Sequence, residues 1–286
     1  LGLAKQGGVQ DVTVLLNEKC TKDVVLAAIK EVGARCSDDD YFVFYFAGRG
    51  NGCNDRAFEE EGLEEGFQLL NRGAEELLTD SEFSGAVTSA LPKEVRAILL
   101  LDCCAAGTVT DMSRERWRGR QAVAITGCFN ADTCMDRSRH GFLAHSLLLA
   151  LDKLGNHDQR ECAVGMVYNA ILEENEAVFS THHDMIIESA PDLQLDTVAW
   201  PMVPPKDYEA PFTKLAAAGG ELQSIGVKDA FCACTCNSET ASLRKLGISS
   251  SQMSKASPSE SAKRSGDEYL ARVQGKDLSK QACIVQ

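Results

Sequence analysis

Apolar positions along the chain fall into two patterns, short unbroken runs and stripes of helical period. Val12-Thr13-Val14-Leu15-Leu16 is β-branched and apolar, and a run of that length reads as a buried strand. Tyr41-Phe42-Val43-Phe44-Tyr45-Phe46-Ala47 repeats the pattern until Gly48-Arg49-Gly50 stops it. Residues 95–101 and 122–126 supply a third and a fourth run. Between these runs the period changes. Val25, Ala28, Ile29 and Val32 recur at helical spacing over residues 22–32, behind Thr21, whose hydroxyl can accept from the free N–H groups of a first turn. Thr79 or Asp80 can play the same part for a helix running to about residue 90, which Pro92 ends. Residues 142–154 and 164–179 read as two further helices.

Strands apolar on both faces, alternating with helices, predict an α/β fold with a mainly parallel sheet and helices on both faces. Ligands of such sheets bind beyond the carboxyl ends of the strands. Two of those ends stand out, Gly48-Arg49-Gly50-Asn51 and Asp102-Cys103-Cys104-Ala105-Ala106-Gly107, where small residues leave room for a peptide backbone. A glutamate-rich loop, from Glu59 to Glu65, follows the first. Past the prolines at 201–205 the character changes. Residues 215–265 are rich in Ala, Gly, Ser and Lys, and such a composition buries too little surface to offset ordering entropy. The expectation is a folded domain over 1–205 and a mostly disordered, low-complexity tail over 206–286.

The chain has 286 residues and is 44% hydrophobic, enough for a sizeable core without disulfides or metals. Its net charge of −13 is uneven: the 81 residues from 206 onward carry 11 basic and 9 acidic side chains, so the rest carries −15. An acidic body argues against nucleic acid as the main partner and suits basic peptides or divalent cations. The 12 cysteines are scattered without CxxC pairs of zinc spacing, which fits reduced thiols in a cytoplasmic protein. No stretch approaches the ~20 apolar residues of a spanning helix.

The two strand ends also carry a family resemblance. Phe46-Ala47-Gly48-Arg49-Gly50, followed on a later strand by Asp102-Cys103-Cys104-Ala105-Ala106-Gly107, resembles the proteolytic domain of metacaspases, caspase-like cysteine-type endopeptidases that cut after Arg or Lys. Ala124-Ile125-Thr126-Gly127-Cys128 and Gly141-Phe142-Leu143-Ala144-His145-Ser146 look like the family's later strand and helix. The resemblance spans residues 12–205 and implies a caspase-like sheet. It also implies a central strand and helix ahead of the segment matching 12–16. These are not among the residues here, so a vacant interior position, and a piece of a longer domain, are expected.

In the register that Asp102 and Gly107 set, Cys104 takes the nucleophile position and Arg49 the base position, where the family has histidine. A cysteine peptidase needs a thiolate and then a proton for the departing amine. Histidine supplies both because its pKa lies near neutrality. A guanidinium, with a pKa above ~12, stays protonated and does neither. The resemblance therefore implies an impaired peptidase, a pseudopeptidase that binds basic (Arg/Lys) peptides or related metacaspases. The alternative is an active endopeptidase using Cys104 with another base, such as His140 or His145. Asp102 matches the position that reads the basic side chain, and it equally suits an aspartate capping the turn. Read without the resemblance, Cys103-Cys104 are two small hydrophobes at a strand end.

The resemblance further implies calcium, with Glu64, Asp80, Ser81 and Asp111 at the matching positions. Those residues also read as a solvated acidic loop with Asp80 near a helix start. At the carboxyl end, Cys283-Ile284-Val285-Gln286 fits a prenylation box. Cys232, Cys234 and Cys236 are candidates for the second lipid that stable anchoring takes, which would give peripheral membrane contact.

Overall fold

The computed structural model describes residues 2–9, 11–51, 65–103, 109–127, 142–156, 162–179, 185–202 and 280–285. The four apolar runs become strands β1 (Asp11–Leu15), β2 (Tyr41–Ala47), β6 (Arg96–Asp102) and β7 (Gln121–Thr126). Between β2 and β6 come β3 (Arg49–Asn51), β4 (Gly66–Asn71) and β5 (Ala74–Thr79). Two more strands follow β7, namely β8 (Ile186–Ser189) and β9 (Lys280–Val285). The helices are α1 (Gly2–Gln6), α2 (Lys22–Gly33), α3 (Asp80–Ala90), α4 (Phe142–Asn156) and α5 (Val164–Phe179).

The main sheet has the order β1-β9-β2-β6-β7-β8, parallel throughout except for β8. Both of its faces are covered, as continuous apolar strands require. Phe42, Phe44 and Phe46 alternate with Tyr41 and Val43, because successive side chains of a strand point to opposite faces. The phenylalanine face packs with Val25, Ile29 and Val32 of α2 and Phe83 and Val87 of α3. The opposite face packs with Leu143, Leu147 and Leu151 of α4 and Val164, Val167 and Ile171 of α5.

A second sheet, β3-β4-β5, is antiparallel. Its hairpin turns at Arg72 and Gly73, with φ of 51° and 83°. That pair of positive values matches the twist of a two-residue hairpin, and glycine adopts its share without strain. Phe67 of β4 is fully buried and joins this sheet to the core, its ring 4.4 Å from that of Phe46 and 5.0 Å from that of Phe83.

Thr79 starts α3 with a reciprocal cap. Its hydroxyl accepts from the Glu82 N–H at 3.2 Å, and its own N–H donates to the Glu82 carboxylate at 3.1 Å. Thr79→Ala is expected to lower stability by about 1 kcal/mol, measured as a shifted midpoint of chemical denaturation at unchanged slope.

Strand β9 is the departure from expectation. The sheet position between β1 and β2 is filled by Lys280–Val285, paired parallel with both neighbours so that Cys283 lies between Thr13 and Phe44. The expectation from sequence is a vacant interior position and a tail from 206 onward, and six residues of that tail fill the position instead. An interior strand satisfies both rows of its backbone N–H and C=O groups, which an unpaired edge cannot do. Prenylation of Cys283 needs a free, extended end, so a seated strand and a processed lipid anchor exclude one another on one chain. Cys232, Cys234, Cys236 and the rest of 203–279 lie outside the described residues.

Candidate active site

Strands β2 and β6 are neighbours, and their last residues, Ala47 and Asp102, stand opposite each other. The Gly48 N–H donates to the Asp102 carbonyl at 3.4 Å, so the chain leaves both strands from one point on the carboxyl edge of the sheet. Arg49 follows at once. It is exposed and opens β3 opposite Gln68. On the other strand Leu101 and Cys103 share the core cluster beneath α2 and α3, so the alternation of β6 persists one residue beyond its end. Cys103 is buried and outside any disulfide, as are Cys20, Cys36 and Cys162. Burial of Cys36 pushes its thiol up to about 11, and burial raises Cys162 as well. Cys104 itself, with Ala105, Ala106, Gly107 and His140, lies outside the described residues.

Asp102 is engaged from inside the protein. Its Oδ2 accepts from the Ala144 N–H at 3.0 Å and the Tyr45 hydroxyl at 3.4 Å, and its Oδ1 accepts from the Leu143 N–H at 3.4 Å. Those N–H groups belong to the first turn of α4, which has no intrahelical partners for them, so a carboxylate from another strand caps the helix. Gly127, at the end of β7, permits the approach. A Cβ there would meet the Leu143 Cβ at 3.1 Å and the Asp102 Oδ1 at 3.2 Å. Burial pushes the Asp102 carboxyl up to about 6, against the lowering effect of the Ala144, Leu143 and Tyr45 hydrogen bonds. Burial first, and then Asp102, hold the Tyr45 hydroxyl well above its ordinary value. Both halves of the sequence reading of Asp102 concern this carboxylate. The structure supplies a cap, and the helix it caps starts 40 residues further on. His145, the next residue after Ala144, is buried at 8% exposure.

Of the four calcium candidates, Glu64 lies outside the described residues and the other three meet one side chain. The Arg114 Nη2 is 2.7 Å from the Asp80 Oδ2, and its Nε donates to the Asp111 Oδ2 at 2.7 Å. Its Nη1 donates to the Ser81 hydroxyl at 3.3 Å. Ser113 donates to the other Asp111 oxygen at 2.6 Å, and the Ser81 N–H to the other Asp80 oxygen at 2.5 Å. Hydrogen bonds from Ser113 and Arg114 hold the Asp111 carboxyl below its usual range, against the opposing effect of burial. Arg114 is correspondingly raised, first by its hydrogen bond to Asp111. A calcium ion takes about six to eight oxygens. Every carboxylate oxygen of Asp80 and Asp111 already accepts a hydrogen bond or ion pair, and no cluster of three metal-binding side chains occurs among the described residues. The residues as placed do not fit a resident divalent cation. Sequence reading did not single out Arg114, and it carries no local pattern that would have marked it.

A family model described as metacaspase, peptidase C14 domain, matches residues 6–113. Metacaspase-2 of Arabidopsis thaliana is 23% identical over 194 residues, an alignment covering 58% of this chain and 44% of that protein. Metacaspase-1 of the same plant is 26% identical over 141 residues, covering 41% of this chain and 38% of that one. The chain thus spans less than half the length of these curated relatives. A solved structure of a Geobacter sulfurreducens protein is similar at a TM-score of 0.45 and 19% identity, over 68% of this chain and 82% of that one. Among the described residues no helix is long and apolar enough to cross a membrane.

Proposed function

We propose, for a chain that belongs to the metacaspase family, that this cysteine-peptidase domain binds basic peptides without turning them over. One observation carries the reading. Where β2 ends beside β6, the residue that the family resemblance sets at the base position is Arg49, and it is exposed. A guanidinium so placed can stabilise a neighbouring thiolate as a fixed cation, but it returns no proton to a departing amine. Losing that general acid–base help costs ~10²–10⁴-fold. An amide substrate attacked by Cys104 would revert to bound peptide rather than cleave. The −15 carried by residues 1–205 favours association with basic peptides, or with basic segments of related metacaspases.

The test is hydrolysis of fluorogenic peptides ending in Arg or Lys by the full chain, beside a Cys104→Ala control, with and without calcium. The expected result is that the two proteins are indistinguishable. Cysteine-dependent hydrolysis by the wild type would overturn the proposal and favour an active endopeptidase with another base. Binding is measured separately, as anisotropy of a labelled arginyl peptide, and should weaken as salt rises.

A further inference from the structure

Arg114 enters the structure from a loop and lands on the amino end of α3, where two acidic side chains from distant segments converge. Asp80 is the first residue of α3, and Asp111 lies in the connection between β6 and β7. Their carboxylates would repel one another if left alone. The guanidinium lies between them and uses separate nitrogens for Asp80, Asp111 and Ser81. A planar fork of donors suits such bridging, and a point charge does not. Arg116 adds a second tie from the same loop, donating to the Ser81 carbonyl at 3.0 Å and the Ser84 hydroxyl at 2.7 Å. The backbone is held to match, with Asp111 at φ 28°.

We infer that Arg114 is a built-in cation, which does in this chain what a divalent metal would do between Asp80, Ser81 and Asp111 and leaves the fold independent of calcium. The identity of the metal rests on the family reading, whereas the bridge rests on the geometry alone. Two segments are joined by the guanidinium: the start of α3, and the β6–β7 connection, where Asp111 lies three residues before Arg114. A metal there would have to displace a permanent positive charge and recruit most of its oxygens from water. A neutral residue at 114 would leave two carboxylates and a hydroxyl facing one another, the beginnings of an oxygen site.

The experiment follows calcium binding to the full chain by calorimetric titration and by thermal unfolding, comparing wild type, Arg114→Ala and Arg114→Lys. Wild type should show no saturable heat and no change in Tm up to millimolar calcium. Arg114→Ala should have a Tm lower by ~2 °C or more, a shift that calcium reverses in part with a midpoint near ~10⁻⁴–10⁻³ M. Arg114→Lys keeps the charge without the fork, so it should fall between the two in Tm and bind no calcium. Saturable calcium binding by the wild type would overturn the inference, and that measurement needs no variant to fold. An Arg114→Ala protein with wild-type Tm and no response to calcium would overturn it too. None of these readouts depends on peptide turnover, so a failure here is distinct from a failure of the inactive-peptidase reading.

Discussion

Arg49→His is expected to bring cysteine-dependent cleavage of an arginyl peptide at least ~10-fold above the Cys104→Ala background, short of the full ~10²–10⁴-fold that a positioned acid–base group supplies. Position 49 tolerates the change. Arg49 is exposed, and it joins the hairpin sheet through the backbone of β3 opposite Gln68, an attachment that histidine keeps. An imidazole there would gain what the guanidinium lacks, a neutral form that accepts the thiol proton and a charged form that returns one to the amine. Full recovery is not expected, because the resemblance to metacaspases implies a serine at the position of Ala47 and His-Ser at Ala105-Ala106, and three alanines supply none of those groups. The pH profile gives a second readout. A rescued enzyme should gain a limb near the histidine pKa that the wild type cannot show. Turnover of Arg49→His at the level of Arg49→His with Cys104→Ala, in protein unfolding at the wild-type Tm, would place the defect beyond the base.

The strands and helices that carry this argument were legible because each obeys one rule along its own length. The run at 41–47 is apolar at every position and becomes β2 with the same bounds, and Thr21 and Thr79 cap the helices they precede. The hairpin of β4 and β5 was not assigned. Phe67 and Leu69 do alternate with Gln68 and Leu70, but the alternation is short, it follows a glutamate-rich stretch, and an Arg-Gly turn is a weaker hairpin signal than Asn-Gly. What the sequence withheld altogether depends on partners far along the chain. Lys280–Val285 contains a short apolar run, and nothing in those six residues says that an interior slot between β1 and β2 awaits them. Arg114 sits in Ser113-Arg114-Glu115-Arg116, a polar loop by composition, and its meaning appears only when α3 and Asp111 are brought around it. Local patterns report local structure, whereas ion bridges and strand order are properties of the closed fold.

Asp102 separates a structural carboxylate from a recognition carboxylate by experiment. Burial pushes the Asp102 carboxyl up to about 6, above the ordinary carboxylate range. A raised acid pKa means that the folded state holds its proton more tightly than the unfolded state. The stability this contributes is fully present below about pH 4 and is lost as pH rises through about 6. At ~1.4 kcal/mol per pKa unit the loss reaches up to ~3 kcal/mol by pH 7. Asp102→Asn keeps a carbonyl oxygen for the Ala144 N–H and for Tyr45 and cannot ionise, so it should match wild type near pH 4, flatten the slope between pH 4 and 7, and be the more stable of the two near pH 7. Asp102→Ala removes the cap. It leaves the Leu143 and Ala144 N–H groups and the Tyr45 hydroxyl without that partner, and a buried unsatisfied group costs ~1–3 kcal/mol. Urea unfolding at pH 4.5, 6 and 7.5 measures both variants, with labelled arginyl peptide titrated into each. A carboxylate that serves the helix predicts that Asp102→Asn retains peptide affinity while Asp102→Ala loses stability at every pH. Should Asp102→Asn instead abolish peptide binding while unfolding like wild type across the whole range, the charge of Asp102 reads the basic side chain, and the contacts to α4 are incidental to it.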